Sequence, residues 1–146
     1  MIAVYTKIQV VFDAADPAKL AAFWKVALGY DYEPPPPGYA SWEDLARERG
    51  LREEEFADQA SLIDPTGEGP RIYFQRVPEG KTAKNRVHLD VRVAGPKVRG
   101  DERQRLVDQH VSRLLEAGAT IAWRTDDARG RAVVMRDPEG NEFCVT

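Results

Sequence analysis

The sequence predicts an α+β fold made of two βαβββ modules, whose sheets join into one curled, mixed surface around a cavity with the helices outside. Three observations predict it. Apolar and alternating runs, separated by turn residues, read strand, helix, three strands, and the same order then repeats. Leu28-Gly29-Tyr30 closes the first helical pattern as Ala117-Gly118-Ala119 closes the second. Ile63-Asp64-Pro65-Thr66-Gly67 has its counterpart in Arg136-Asp137-Pro138-Glu139-Gly140, each placed before the last strand of its half. The 146 residues are the size of one domain, with module one at 4–77, a polar linker at 78–85 and module two at 86–146.

The elements follow in order. Val4 to Phe12 is almost continuously apolar and β-branched, which predicts a strand with Ile8, Val10 and Phe12 on its covered face and Gln9, Val11 and Asp13 on the other. Asp16 before Pro17 is a helix start, because the carboxylate can accept from free amides and proline suits the first helical turn. Leu20, Phe23, Trp24, Ala27 and Leu28 recur at helical spacing until Gly29. A short strand is expected at Tyr30 to Glu33, and the prolines at 34–37 enforce an extended connection. Ser41 to Phe56 reads as an inserted segment with one or two helical turns capped by Ser41. Strands return at Asp58 to Ile63 and Arg71 to Val77.

In the second half a strand is expected from Arg86 to Val93, with Val87, Leu89 and Val91 on its apolar face. A long helix then carries Leu106, Val107, His110, Val111, Leu114 and Leu115 on one side as far as Gly118. Ala119 to Arg124, Arg131 to Arg136 and Glu142 to Val145 are the closing strands, with Asp126, Asp127, Arg129 and Gly130 in a solvated turn between the first two.

Composition excludes several classes of function. The 21 basic residues are interspersed with 24 acidic ones for a net charge of −3, so the chain has no basic stripe to track a phosphate backbone, and nucleic acid is not an expected partner. Cys144 is the only cysteine, which fits a reducing compartment. Residues 1–7 lack the charged and apolar segments of a signal peptide. Nor does any apolar run approach the roughly 20 residues that span a bilayer. The expected location is cytoplasmic, without a membrane partner.

Three stretches carry a resemblance: Ala15-Asp16-Pro17 through Trp24 to Leu28-Gly29-Tyr30, Lys84 through Val91, and Arg136 through Phe143. Together they resemble the vicinal oxygen chelate superfamily, in particular its glyoxalase-like and bleomycin-resistance-like members. The resemblance implies homodimers and a cup that takes a small molecule. It also implies, in metal-dependent members, one ligand on the first and one on the last strand of each half. By position these are Gln9, Tyr73, His88 and Cys144. Only His88 is a good ligand for a hard divalent ion, since such an ion wants imidazole and carboxylates. Asp90, Glu142 and Gln75 are the nearest substitutes.

The residues expected to bind a ligand are therefore Gln9, Tyr73, Gln75, His88, Asp90 and Cys144 on the strands and Trp42 in the insertion, where Tyr39 and Phe56 add aromatic surface. No catalytic residue is assigned. The expected function is a module that binds or sequesters a small polar or aromatic compound. The alternative is a lyase, isomerase or dioxygenase that uses a divalent metal ion at His88. Asp90 with Arg92 reads as a structural ion pair, His110 as half-buried structure, and Cys144 as a small filler rather than a nucleophile.

Overall fold

Where an aspartate precedes a proline, the chain turns from strand into helix. In the computed structural model, which describes residues 6–127 and 130–146, α1 (Pro17–Leu28) starts with the Asp16 carboxylate accepting the Lys19 N–H at 3.1 Å. It ends at Gly29, whose φ of 68° lets its own N–H reach back to the Lys25 carbonyl, a conformation that a β-carbon disfavours. The buried side of α1 is the expected apolar stripe, Leu20, Phe23, Trp24 and Ala27. Trp24 packs on Phe12 with ring centroids 5.0 Å apart, and Phe12 stacks on Phe74 at 5.3 Å.

Two compact units make up the chain. One comprises the residues up to Lys25 with Gly29–Glu79, and the other Val26–Leu28 with Gly80–Thr146. The first holds a four-stranded mixed sheet of β1 (Gln9–Ala14), β2 (Asp31–Tyr32), β3 (Gln59–Ile63) and β4 (Arg71–Arg76), in the order β1-β4-β3-β2. The inserted segment forms α2 (Trp42–Glu48) and α3 (Glu53–Ala57) between β2 and β3. Ser41 caps α2 as expected, its hydroxyl accepting from the Asp44 N–H at 3.1 Å.

The second unit holds β5 (Asp90–Val91), α4 (Gly100–Glu116), β6 (Thr120–Asp127), β7 (Gly130–Arg136) and β8 (Glu142–Val145), with the sheet order β5-β8-β7-β6. In each half the first strand lies parallel to the last and the remaining pairs are antiparallel. The repeat read from the sequence is thus a repeat of topology, and neither sheet closes into a barrel. Ile72 and Phe74 in one half and Phe143 and Val145 in the other are at most 1% exposed, so Tyr73 and Cys144 take the opposite face.

Several boundaries differ from expectation for identifiable reasons. β1 begins at Gln9 and continues past Phe12 to Ala14; Val4 and Tyr5 lie outside the described residues. Its sheet partner β4 starts at Arg71, opposite Gln9, so Ile8 has no strand beside it and is 73% exposed. β5 spans two residues where eight were expected. Backbone bonds to the closing segment involve Leu89, Val91 and Val93, whereas upstream the Asn85 N–H is donated to the Glu142 carboxylate and Val87 is exposed. On α4 the buried stripe is Val107, Val111 and Leu114, and Leu115 falls outside it. Asp126 and Asp127 belong to β6 rather than to a turn, whereas Arg129 lies outside the described residues. Among the described residues no helix is long and apolar enough to cross a membrane.

Candidate functional site

The polar face of the first sheet is organised by Arg71. Strand alternation puts Gln9, Val11 and Asp13 of β1 beside Arg71, Tyr73 and Gln75 of β4, in direct register. The Arg71 guanidinium grips the Glu33 carboxylate through Nε, at 3.0 and 2.9 Å, and through NH2 at 2.5 Å. It also donates from NH1 to Gln9 Oε1 at 2.8 Å and from NH2 to the Ser61 hydroxyl at 2.7 Å. A forked, planar cation suits such a hub, because its donors are fixed in one plane and meet the carboxylate side by side. The Tyr73 ring lies 5.3 Å from this guanidinium, and its hydroxyl donates to Gln59 Oε1 at 2.7 Å. Gln75 donates to the Asp13 carboxylate at 2.8 Å.

Over one edge of this face the insertion builds a wall. Trp42, at the start of α2, donates its indole N–H to the Glu33 carbonyl at 2.8 Å, and its ring lies 6.4 Å from that of Phe56 on α3. Together with Tyr32 these rings border a pocket of about 290 Å³ whose floor is Glu33, Gln59, Ser61 and Arg71. Aromatic walls above a few fixed polar groups are the usual make-up of a small-molecule site. A wider groove of about 650 Å³ runs past Lys7, Gln9 and the Asp64–Gly69 turn, but it has no aromatic wall.

The polar face of the second sheet is organised differently. Asp90 and Cys144 are register partners on β5 and β8, and His88 precedes Asp90 by two residues. His88 Nε2 lies 3.3 Å from Asp90 Oδ1, and one donor atom from each of His88, Asp90 and Cys144 falls within 4.8 Å of the others. Burial pushes the Cys144 thiol above its usual pKa, and the adjacent Asp90 carboxylate, which it bonds, pushes it further, with Lys84 opposing weakly. Asp90 is therefore the partner of His88 and Cys144, rather than of Arg92.

Glu142 acts as a clamp. Its carboxylate accepts the Asn85 N–H at 3.0 Å and pairs with Lys81 at 3.0 Å, while the Asn85 side-chain amide donates to the Glu142 carbonyl at 3.4 Å. The backbone donor is the main reason its pKa falls to about 2; burial opposes this and Lys81 adds to it. His110 is half-buried with Nε2 3.1 Å from the Ala27 carbonyl, and burial lowers its pKa, which fits a structural residue.

The residues singled out by sequence thus fall into two groups. Gln9, Tyr73, Gln75 and Trp42 lie in the first unit, and His88, Asp90 and Cys144 in the second. The positions at which the resemblance implies a metal do not fit one in the first unit: the Gln9 oxygen already accepts from the Arg71 guanidinium, and the Tyr73 hydroxyl is spent on Gln59. Two of the substitutes are also engaged, Gln75 by Asp13 and Glu142 by Asn85 and Lys81. Sequence reading missed Arg71 and its partner Glu33, which are 38 residues apart. The available signal was that Arg71 shares a strand face with Tyr73 and Gln75.

The glyoxalase-like domain family matches residues 9–146. No curated protein sequence matches the chain. Among solved structures, the fosfomycin resistance protein FosX from Mesorhizobium loti is 10% identical with a TM-score of 0.62, over 98% of this chain and 91% of that one. The bleomycin-binding protein of Streptomyces verticillus, complexed with copper(II)-bleomycin, is 17% identical with a TM-score of 0.54, over 99% and 98%. A FosX variant from Listeria monocytogenes, complexed with Mn(II) and a dihydroxypropylphosphonic acid, is 13% identical with a TM-score of 0.57, over 99% and 90%. At these identities the likeness is one of fold.

Proposed function

The chain belongs to the glyoxalase-like domain family of the vicinal oxygen chelate superfamily, and from that premise we propose that it binds a small, polar aromatic compound in the Trp42 pocket of its first half, with no metal at that pocket. The observation that carries this reading is the pocket itself: three aromatic side chains stand over a hydrogen-bonded floor in which Arg71 is already neutralised by Glu33. Such a floor offers donors and acceptors without net charge, so it favours neutral or zwitterionic ligands whose ring packs on Trp42 and Phe56. Gln9, Tyr73 and Gln75 continue the polar surface beyond the pocket and would meet the ligand's outer groups.

A metal-dependent lyase, isomerase or dioxygenase is the alternative, and the donors of the first half speak against it, because a hard ion there would have to displace Arg71 from Gln9. Sequestration by a homodimer in the cytoplasm is the setting this reading implies. A thermal-shift screen of aromatic metabolites and drugs checks it. At saturating concentration a true ligand raises the melting temperature of the wild type and leaves Trp42→Ala unmoved. A screen without a stabiliser, or one whose stabilisers act equally on Trp42→Ala, would refute the pocket.

A further inference from the structure

We propose that the second half carries a self-contained site for a thiophilic divalent ion, of the zinc type, formed by His88 Nε2, an Asp90 carboxylate oxygen and the Cys144 sulfur. The site differs from the four-residue set implied by the resemblance in two respects: it needs nothing from the first half, and its third donor, Asp90, is not one of those four positions.

The sheet register brings the donors together. Asp90 and Cys144 are Cα partners on neighbouring parallel strands, so their side chains leave the same face side by side. His88 sits two residues earlier and comes out on that face as well, with Nε2 already 3.3 Å from Asp90 Oδ1. Metal–ligand bonds of about 2.0–2.3 Å place the donor atoms of a tetrahedral ion about 3.5 Å apart. The three donors span no more than 4.8 Å, so small side-chain rotations suffice. Among the described residues Asp90 forms no other ion pair, and Glu142, the remaining carboxylate on β8, is held by Asn85 and Lys81.

The topological repeat supplies a control within the same molecule. Tyr73 corresponds to Cys144, its register partner Val11 corresponds to Asp90, and Gln9 corresponds to His88. The same backbone frame therefore holds glutamine, valine and tyrosine in one half and imidazole, carboxylate and thiol in the other. Only the second trio is a ligand set.

The donor types select the ion. One thiolate, one imidazole and one carboxylate suit zinc or cobalt, whereas manganese and magnesium prefer oxygen-only surroundings. On binding, the thiol proton passes to solvent and the sulfur binds as thiolate. His88 and Asp90 have side chains 45% and 49% exposed, which leaves room for water at the fourth position.

The test uses the full chain, stripped with chelator and reloaded separately with Zn(II), Co(II) or Mn(II). Zn(II) is expected at one ion per chain. Co(II) should give a near-ultraviolet sulfur-to-cobalt charge-transfer band, and Mn(II) should not be retained. Cys144→Ser should abolish that band while the circular dichroism of the fold is kept. His88→Ala and Asp90→Ala should each weaken Zn(II) by at least about tenfold, with Gln9→Leu and Tyr73→Phe at wild-type affinity. Failure to retain Zn(II), a cobalt spectrum without the band, a preference for Mn(II), or equal weakening by Gln9→Leu would overturn the proposal. The Trp42 pocket stands or falls separately, since its screen is run on metal-free protein.

Discussion

Each half has the same strand order and an apolar core of its own, yet the two carry opposite charges at equivalent places. Arg71 opens β4 and Glu142 opens β8, each the first residue of the last strand of its half. Arg71 gathers Glu33, Gln9 and Ser61, whereas Glu142 gathers Lys81 and Asn85. In one half the hub fixes the floor of a pocket; in the other it ties down the connecting segment. The inward faces keep their apolar bulk with its order reversed, Ile72 then Phe74 in one half and Phe143 then Val145 in the other, whereas the outward faces have changed in chemistry. A duplicated frame keeps what packing demands, and chemistry is free to vary on the side that packing does not use.

The largest effects test the equivalence of the cores. Phe74→Ala and Phe143→Ala each remove a ring that is at most 1% exposed, and each should cost about 3–5 kcal/mol in denaturant unfolding. Values that differ by more than the spread of such substitutions would show that one half dominates stability.

Next comes the hub of the first half. Arg71→Met leaves the half-buried Glu33 carboxylate unpaired and should cost about 2–3 kcal/mol, and adding Glu33→Gln should recover part of it. A double variant no better than the single would mean that Arg71 acts through packing instead.

The hub of the second half has a pH signature. Its carboxyl titrates near 4.5 when unfolded and at about 2 when folded, so the stabilisation is fully present above pH 4.5 and is lost as the pH falls toward 2. Glu142→Gln should cost about 1–2 kcal/mol at neutral pH and flatten stability across that window, as read from urea midpoints. An unchanged slope would place the acid sensitivity elsewhere. The smallest effects belong to the paired turns: Gly67 and Gly140 have φ of 74° and 86°, so alanine at either should cost about 1 kcal/mol. Unequal costs would show that the two turns are held to different degrees.

Much of the frame was legible because it is written locally. Asp16-Pro17, Gly29, Ser41 and the Asp64 and Asp137 turns each fix their backbone through their nearest neighbours, and the alternation in β4 and β8 sorts Tyr73 and Cys144 from the core. The expected strand at Arg86 to Val93 shows the limit. Its alternation is real, and Leu89, Val91 and Val93 do bond the chain at Cys144 to Thr146, but Asn85 just before it gives its N–H to the side chain of Glu142, 57 residues away. Arg71 and Glu33 were invisible for the same reason, since each alone looks like any surface charge. Alternation likewise gives Asp90 its face and offers Arg92 as its partner, because a strand pattern reveals which side a residue takes but not which neighbour crosses from the next strand.

In both sheets the opening strand lies against the closing one, and in the first half that pairing joins residues 62 apart. On the ribosome β1 must therefore wait, with its backbone amides unpaired on that side, until β4 has emerged. Such long-range closure slows folding and exposes a sticky edge meanwhile. Helix α1 is capped at both ends by residues of its own neighbourhood and packs Trp24 on Phe12 of β1, so it can cover one face of that strand without any help from the later strands.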